Sequence, residues 1–165
     1  MYYLWCGRQS PLFGRAKMTT FERYFVADRK TWTETKNPYY DLVESYETAT
    51  FILREFGLDE KTGHIINGHV PVRAAIGEPP VKAHGRYIRI DGGFCRAYHD
   101  RTGIAGYTLI FSSRHFRIVS HQPFEGKYAA IHRNSDIEGK DHIFERMETR
   151  MKVAETDEGK QLQAR

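Results

Sequence analysis

The chain has few of the features that mark a secreted, membrane-bound or nucleotide-binding protein. It holds two cysteines, Cys6 and Cys95, in 165 residues. Two thiols make no disulfide framework, so a reducing, cytoplasmic compartment is the default. The longest candidate apolar run, Ile104 to Phe111, falls far short of the roughly 20 residues of a membrane-spanning helix, and no membrane partner is expected. The first ten residues, MYYLWCGRQS, have no basic segment leading into a long apolar stretch, so no secretory signal is read there. There is no Gly-x-Ser-x-Gly elbow, no phosphate-binding P-loop, no internal repeat and no low-complexity tract, which leaves no ground for assembling a nucleophile triad or a P-loop site.

What is present is enough for one ordinary domain with a core: 40% of residues are hydrophobic and 13% aromatic. The net charge of +4 sits entirely in the first forty residues, which hold seven Lys/Arg against three Asp/Glu, while residues 41–165 hold eighteen of each. A local basic surface attracts phosphates, whether on a sugar or on a nucleic acid, and an ordinary solvated basic face has the same composition. Arg8, Arg15, Lys17 and Arg23 flank the Gly-bearing loop SPLFG at 10–14. They are the candidates for holding a phosphate by charge-assisted hydrogen bonds.

Leu42, Tyr46, Ala49, Leu53 and Phe56 recur at steps of four and three, which predicts one amphipathic helix over 41–56. Asp41 and Glu44 have capping-box spacing at its start, and Gly57 suits the left-handed residue after its end. Strands are expected near 64–68, 86–91, 106–112 and 116–121, with a hairpin turn at 112–114. Tyr107 to Phe111 is apolar on both faces and is expected to be a central, covered strand. A helix is expected from Ile137 to Ala154, and the tail from Thr156 also reads as helical.

Gly68-His69 stands at the far end of the first expected strand. An imidazole there suits a metal or phosphate site, and a turn histidine bonded to backbone fits the same pattern. His64 reads as a packed imidazole. His84, His99, His115, His121, His132 and His142 show no metal-ligand spacing. Asp91-Gly92-Gly93 fits a site loop or a tight turn.

Taken in order, YLWCGRQSPLFG at 3–14, KMTTFERYF at 17–25, KNPYYDL at 36–42, GHIINGHVPV at 63–72, IDGGFCRAY at 90–98, TGIAGYTLIFSS at 102–113 and VSHQPFE at 119–125 resemble the class III fructose-1,6-bisphosphatases of bacteria, within the calcineurin-like metallophosphoesterases. The stretch ETRMKVAETDEGKQL at 148–162 fits as well. The resemblance implies an α+β fold, the C-terminal portion of a metallophosphoesterase β-sandwich flanked by helices. It implies hydrolysis of the 1-phosphate of a sugar bisphosphate in gluconeogenesis at a dinuclear manganese (Mn2+) site. That site's ligands come from an Asp-x-His, a Gly-Asp-x-x-Asp, a Gly-Asn-His-Asp and a later Gly-His motif. Only the last has a counterpart here, which makes His69 the implied metal ligand. Pro71 stands where many superfamily members carry a second histidine.

The aspartate motifs do not occur in these 165 residues, so the chain is expected to be a C-terminal fragment, from a truncated or split gene, inactive by itself. Residues 1–125 are expected to form a partial metallophosphatase domain and 126–165 a charged, truncated helical extension. Assembly is expected as a homo-oligomer or with a missing N-terminal chain. The alternative is a non-catalytic phosphate-binding or subunit-interaction module pairing with a separate catalytic chain. Nucleic-acid binding through the aromatic, basic first segment is set aside, because those residues match the phosphatases.

Overall fold

The computed structural model describes residues 19–34, 38–93, 99–103, 106–122, 124–134 and 139–165. The chain divides into two units, residues 1–71 with 79–91, and residues 72–78 with 92–165. The boundary expected at 125/126 falls inside the second unit.

In the first unit, helix α1 (Thr20–Phe25) is followed by a short 3-10 helix (Arg29–Trp32), helix α2 (Tyr39–Leu42) and helix α3 (Tyr46–Glu55). The single helix expected over 41–56 is therefore two. The break has a local cause: Ser45 takes an extended conformation, and its hydroxyl accepts from Thr48 N, capping α3. Asp41 lies inside α2, and Glu44, the expected capping-box partner, faces elsewhere. The break rotates the apolar face. Val43, Ala49 and Leu53 are buried, while Leu42, Tyr46 and Phe56 are exposed. Gly57 has the expected left-handed conformation, φ +68, and its N–H bonds Arg54 O.

Three short strands follow: β1 (Ile65–Asn67), β2 (Val81–Lys82) and β3 (Tyr87–Arg89). The sheet order is β1-β3-β2, with β1 parallel to β3 and β2 antiparallel to it. Asp59 holds the turn into β1, its carboxylate accepting from Lys61 N and Thr62 N. Those bonds keep its pKa below the usual carboxylate value. The core joins α2 and α3 to β3: Val43, Ala49, Ala83 and Tyr87, with Tyr39, Ile52 and Ile65 against them.

In the second unit, helix α4 (His99–Thr102) leads to β4 (Gly106–Phe111) and β5 (His115–His121); helix α5 (Lys127–His132) precedes β6 (Gly139–Arg146), and helix α6 (Asp157–Gln163) follows. The strands form an antiparallel sheet in the order β4-β5-β6. The hairpin turn stands where expected, with Ser112 N bonded to His115 O and the Ser112 hydroxyl accepting from His115 N.

Two expectations fail here. Residues 139–146 are a strand and not part of a helix. Pairing with β5 decides this, adding the ion pair Arg117–Asp141 at 2.7 Å and the Phe116–Phe144 ring contact to a segment whose β-branched and aromatic centre favours extension. The second failure concerns Tyr107 to Phe111. β5, not β4, is the central strand, and among the described residues β4 is an outer strand, with Phe111 49% exposed. The tail forms the expected helix, capped by the Thr156 hydroxyl on Gly159 N. Gly159 is required there, since an added Cβ would stand 1.7 Å from Val153 O.

Candidate functional site

β1 and β3 run parallel, with Ile65, Ile66 and Asn67 opposite Tyr87, Ile88 and Arg89. Their C-terminal ends therefore lie side by side, the end at which open sheets of this kind place ligands. β1 delivers Gly68-His69 there, and β3 delivers Ile90-Asp91.

Asn67, the last residue of β1, is held twice. Its main-chain carbonyl accepts from Ile90 N at 2.8 Å, and its side-chain oxygen accepts from the Tyr39 hydroxyl at 2.9 Å. Burial raises the Tyr39 pKa, the bond to Asn67 pulling partly back, so the hydroxyl stays protonated and donating near neutral pH. Beyond this anchor the chain bends, and His69 is exposed. Gly68 is not demanded by space: an added Cβ would meet only Ile90, at an ordinary 3.9 Å. The glycine leaves room around the ring without being needed for packing.

On the same sheet lies a polar cluster that the sequence reading missed. Glu44 Oε1 accepts from Lys82 Nζ at 2.5 Å and from Arg89 at 2.7 Å. Arg89 is buried, and its Nε reaches the Tyr87 hydroxyl at 3.3 Å. Tyr40 nearby has its pKa pushed up to about 12, first by burial and then by the Tyr39 and Tyr87 hydroxyls, against the opposing pull of Arg89. Arg86 is also buried and donates to the carbonyls of Lys61 and Gly63, pinning the approach to β1. Glu44 was read as a helix cap because its spacing from Asp41 allowed it. No local signal pairs it with residues 38 and 45 positions away.

Of the four basic candidates, Arg8, Arg15 and Lys17 lie outside the described residues. Arg23 lies on α1. Its Nε donates to the Thr19 hydroxyl at 3.2 Å, and its guanidinium stands 3.9 Å from Glu34. Glu34 also accepts from Thr19 N and Oγ1. His64 is half-buried. The His84 ring packs edge-on against Tyr46, His121 contacts the Thr108 hydroxyl, and the His132 ring packs against Tyr128.

Among the described residues no group of three or more His, Cys, Asp or Glu side chains could hold a metal ion. Manganese prefers several oxygen donors, and the exposed imidazole of His69 is one nitrogen. These residues do not by themselves fit a manganese centre, and no chemical step is derived through one. Among the same residues no helix is long and apolar enough to cross a membrane.

Comparison with known proteins gives one answer. The family description that matches is Firmicute fructose-1,6-bisphosphatase, over residues 1–165. The chain is 54% identical over 162 residues to the class 3 fructose-1,6-bisphosphatase of Clostridium tetani (strain Massachusetts / E88). It is 51% identical to that of Clostridium novyi (strain NT) and 50% identical to that of Clostridium botulinum (strain Hall). Each match covers 98% of this chain and 24% of the relative, so the chain spans about a quarter of the length of the curated relatives it matches. No solved structure gives a significant match. Identity at this level over almost every residue places the chain in the Firmicute fructose-1,6-bisphosphatase family.

Proposed function

We propose that this chain works as part of a cytoplasmic fructose-1,6-bisphosphatase, on a metallophosphoesterase β-sandwich. Water attacks the phosphorus of the sugar's 1-phosphate, the phosphorus–oxygen bond to the sugar breaks, and the sugar oxygen takes up a proton. The observation that carries the proposal is the family match across all 165 residues. His69 is the chain's contribution to a manganese centre, as one donor at the end of a parallel strand pair. The remaining donors come from outside the described residues. Arg8, Arg15 and Lys17 are the cations proposed for the substrate's phosphates. Arg23 supports them from a position already tied to Glu34.

A chimera tests this directly. The matching 162-residue stretch of the Clostridium tetani relative is replaced by this chain, and phosphate release from fructose 1,6-bisphosphate is measured with manganese. Retained turnover is the expected result, at rates in the ordinary enzyme range of about 1–1,000 per second. A folded chimera without turnover would overturn the proposal. The chain alone is expected to release no phosphate above background.

A further inference from the structure

In the first unit two cations meet on one anion, and the anion is the exposed member. Lys82 Nζ stands 2.5 Å and Arg89 Nη2 2.7 Å from the same atom, Glu44 Oε1. The Lys82 and Arg89 side chains are 11% and 4% exposed, against 35% for Glu44. Glu44 lies on the junction between α2, which ends at Leu42, and α3, which starts at Tyr46. The cations are fixed in the sheet, and the carboxylate reaches them from a short connection that water also reaches.

The two cations come from adjacent strands. Lys82 lies opposite Tyr87 of β3, and Arg89 is two residues further along the same face. Tyr87 holds the guanidinium: its hydroxyl accepts from Arg89 Nε at 3.3 Å, and its ring centroid lies 5.7 Å from Arg89 Cζ. Donors held in this way lose little freedom when a ligand arrives. Arg89 ends β3 beside Asn67, which ends β1, so it stands at the sheet end where ligands bind.

We propose that Lys82 and Arg89 bind a phosphate group, free or esterified, and that Glu44 is a replaceable stand-in for it. The chemistry favours exchange. One carboxylate oxygen accepts both donors, whereas a phosphate gives each donor its own oxygen and carries up to two negative charges. Arginine matches phosphate geometry, and lysine adds a compact charge. Once displaced, Glu44 turns to water from its exposed connection, so no carboxylate is left buried and unpaired. The site does not depend on the proposed hydrolysis, nor on Arg8, Arg15 and Lys17.

The test is calorimetric titration of the whole chain, at constant ionic strength, with inorganic phosphate and separately with fructose 6-phosphate. Saturable binding is expected at about 1 mM. Glu44→Gln weakens the internal competitor and should tighten binding about tenfold, because charged hydrogen bonds outweigh neutral ones by roughly that factor. Lys82→Met should weaken binding by at least about tenfold, and Lys82→Arg should retain it. Tighter binding of fructose 6-phosphate assigns the site to an esterified phosphate, and equal or weaker binding assigns it to the free ion. Absence of saturable binding overturns the proposal. So does binding that Lys82→Met leaves unchanged, which would place the anion on other cations. Weaker binding in a Glu44→Gln chain of native circular dichroism overturns it too, since Glu44 would then support the ligand and not stand in for it. If Glu44→Gln fails to fold, the two Lys82 variants decide.

Discussion

The two sheets of this chain are stabilised in different ways. The β1-β3-β2 sheet is short and covered. Tyr87 and Ile88 in its middle strand are fully buried, and buried Arg86 and Arg89 tie it to Glu44 and to the Lys61–Gly63 turn. The β4-β5-β6 sheet is longer and half open. Ile118 is the one buried large apolar residue among the described residues of its strands, and a row of rings, Phe111, Phe116 and Phe144, runs across it. The first sheet is stabilised by buried side chains and their polar ties, the second by a β4–β5 hairpin and by the longer-range pairing of β5 with β6. His69 follows the end of the first sheet's parallel strand, in an exposed bend.

The largest effect that would sharpen this contrast is on core packing. Tyr87→Ala is expected to cost about 4 kcal/mol, the usual scale for truncating a buried aromatic residue. Ile118→Ala, on the open sheet, is expected to cost about 2 kcal/mol, because its neighbours are part-solvated. Denaturant unfolding read by amide exchange within each sheet measures both. Equal costs would erase the distinction.

Next comes the clamp. Arg89→Met is expected to cost about 2 kcal/mol, less than the roughly 3–5 of a broken fully buried pair, because Glu44 is partly exposed and keeps Lys82. The counterpart on the open sheet is Arg117→Met, which breaks the exposed pair with Asp141 and is expected to cost under about 1 kcal/mol.

The covered sheet also carries an alkaline signature. Tyr40 ionises at about 12 in the folded chain, against 10.0 ordinarily. Between those values the unfolded chain has lost a proton that the folded chain keeps. Stability is therefore unaffected below pH 10, falls as pH rises from 10 to 12, and levels beyond. Tyr40→Phe should flatten that fall, seen in melting temperature against pH. An unchanged slope would show that Tyr40 is not its source.

The smallest effect separates the two readings of residues 41–56. Ser45→Ala should cost about 1 kcal/mol by uncapping α3, and Asp41→Ala should cost almost nothing. The reverse order would restore one continuous helix capped by Asp41.

What the sequence showed and what it hid follow the same physical line. Strands at 65–67, 87–89, 106–111 and 115–121 were legible because alternation and turn residues are local signals. The Ser112 turn was legible for the same reason. The strand at 139–146 was hidden, since its state depends on pairing with β5, which no short window contains. The Ser45 cap was hidden because the apolar spacing runs through it unbroken. The place of His69 just past a strand was legible from the same local signals. The Tyr39–Asn67 bond and the Glu44, Lys82 and Arg89 cluster span tens of residues and become visible only when the sheet is assembled.

The most direct test of the account is His69→Ala beside His64→Ala in the Clostridium tetani chimera. His69 stands past the end of β1 and His64 before its start, on opposite sides of the strand. Loss of a ligand should lower manganese affinity and phosphate release by at least the roughly 10–100-fold typical of changes behind the ligands, with His64→Ala far milder. Full activity and undiminished manganese affinity with alanine at position 69 would contradict the account and leave His69 an exposed turn histidine.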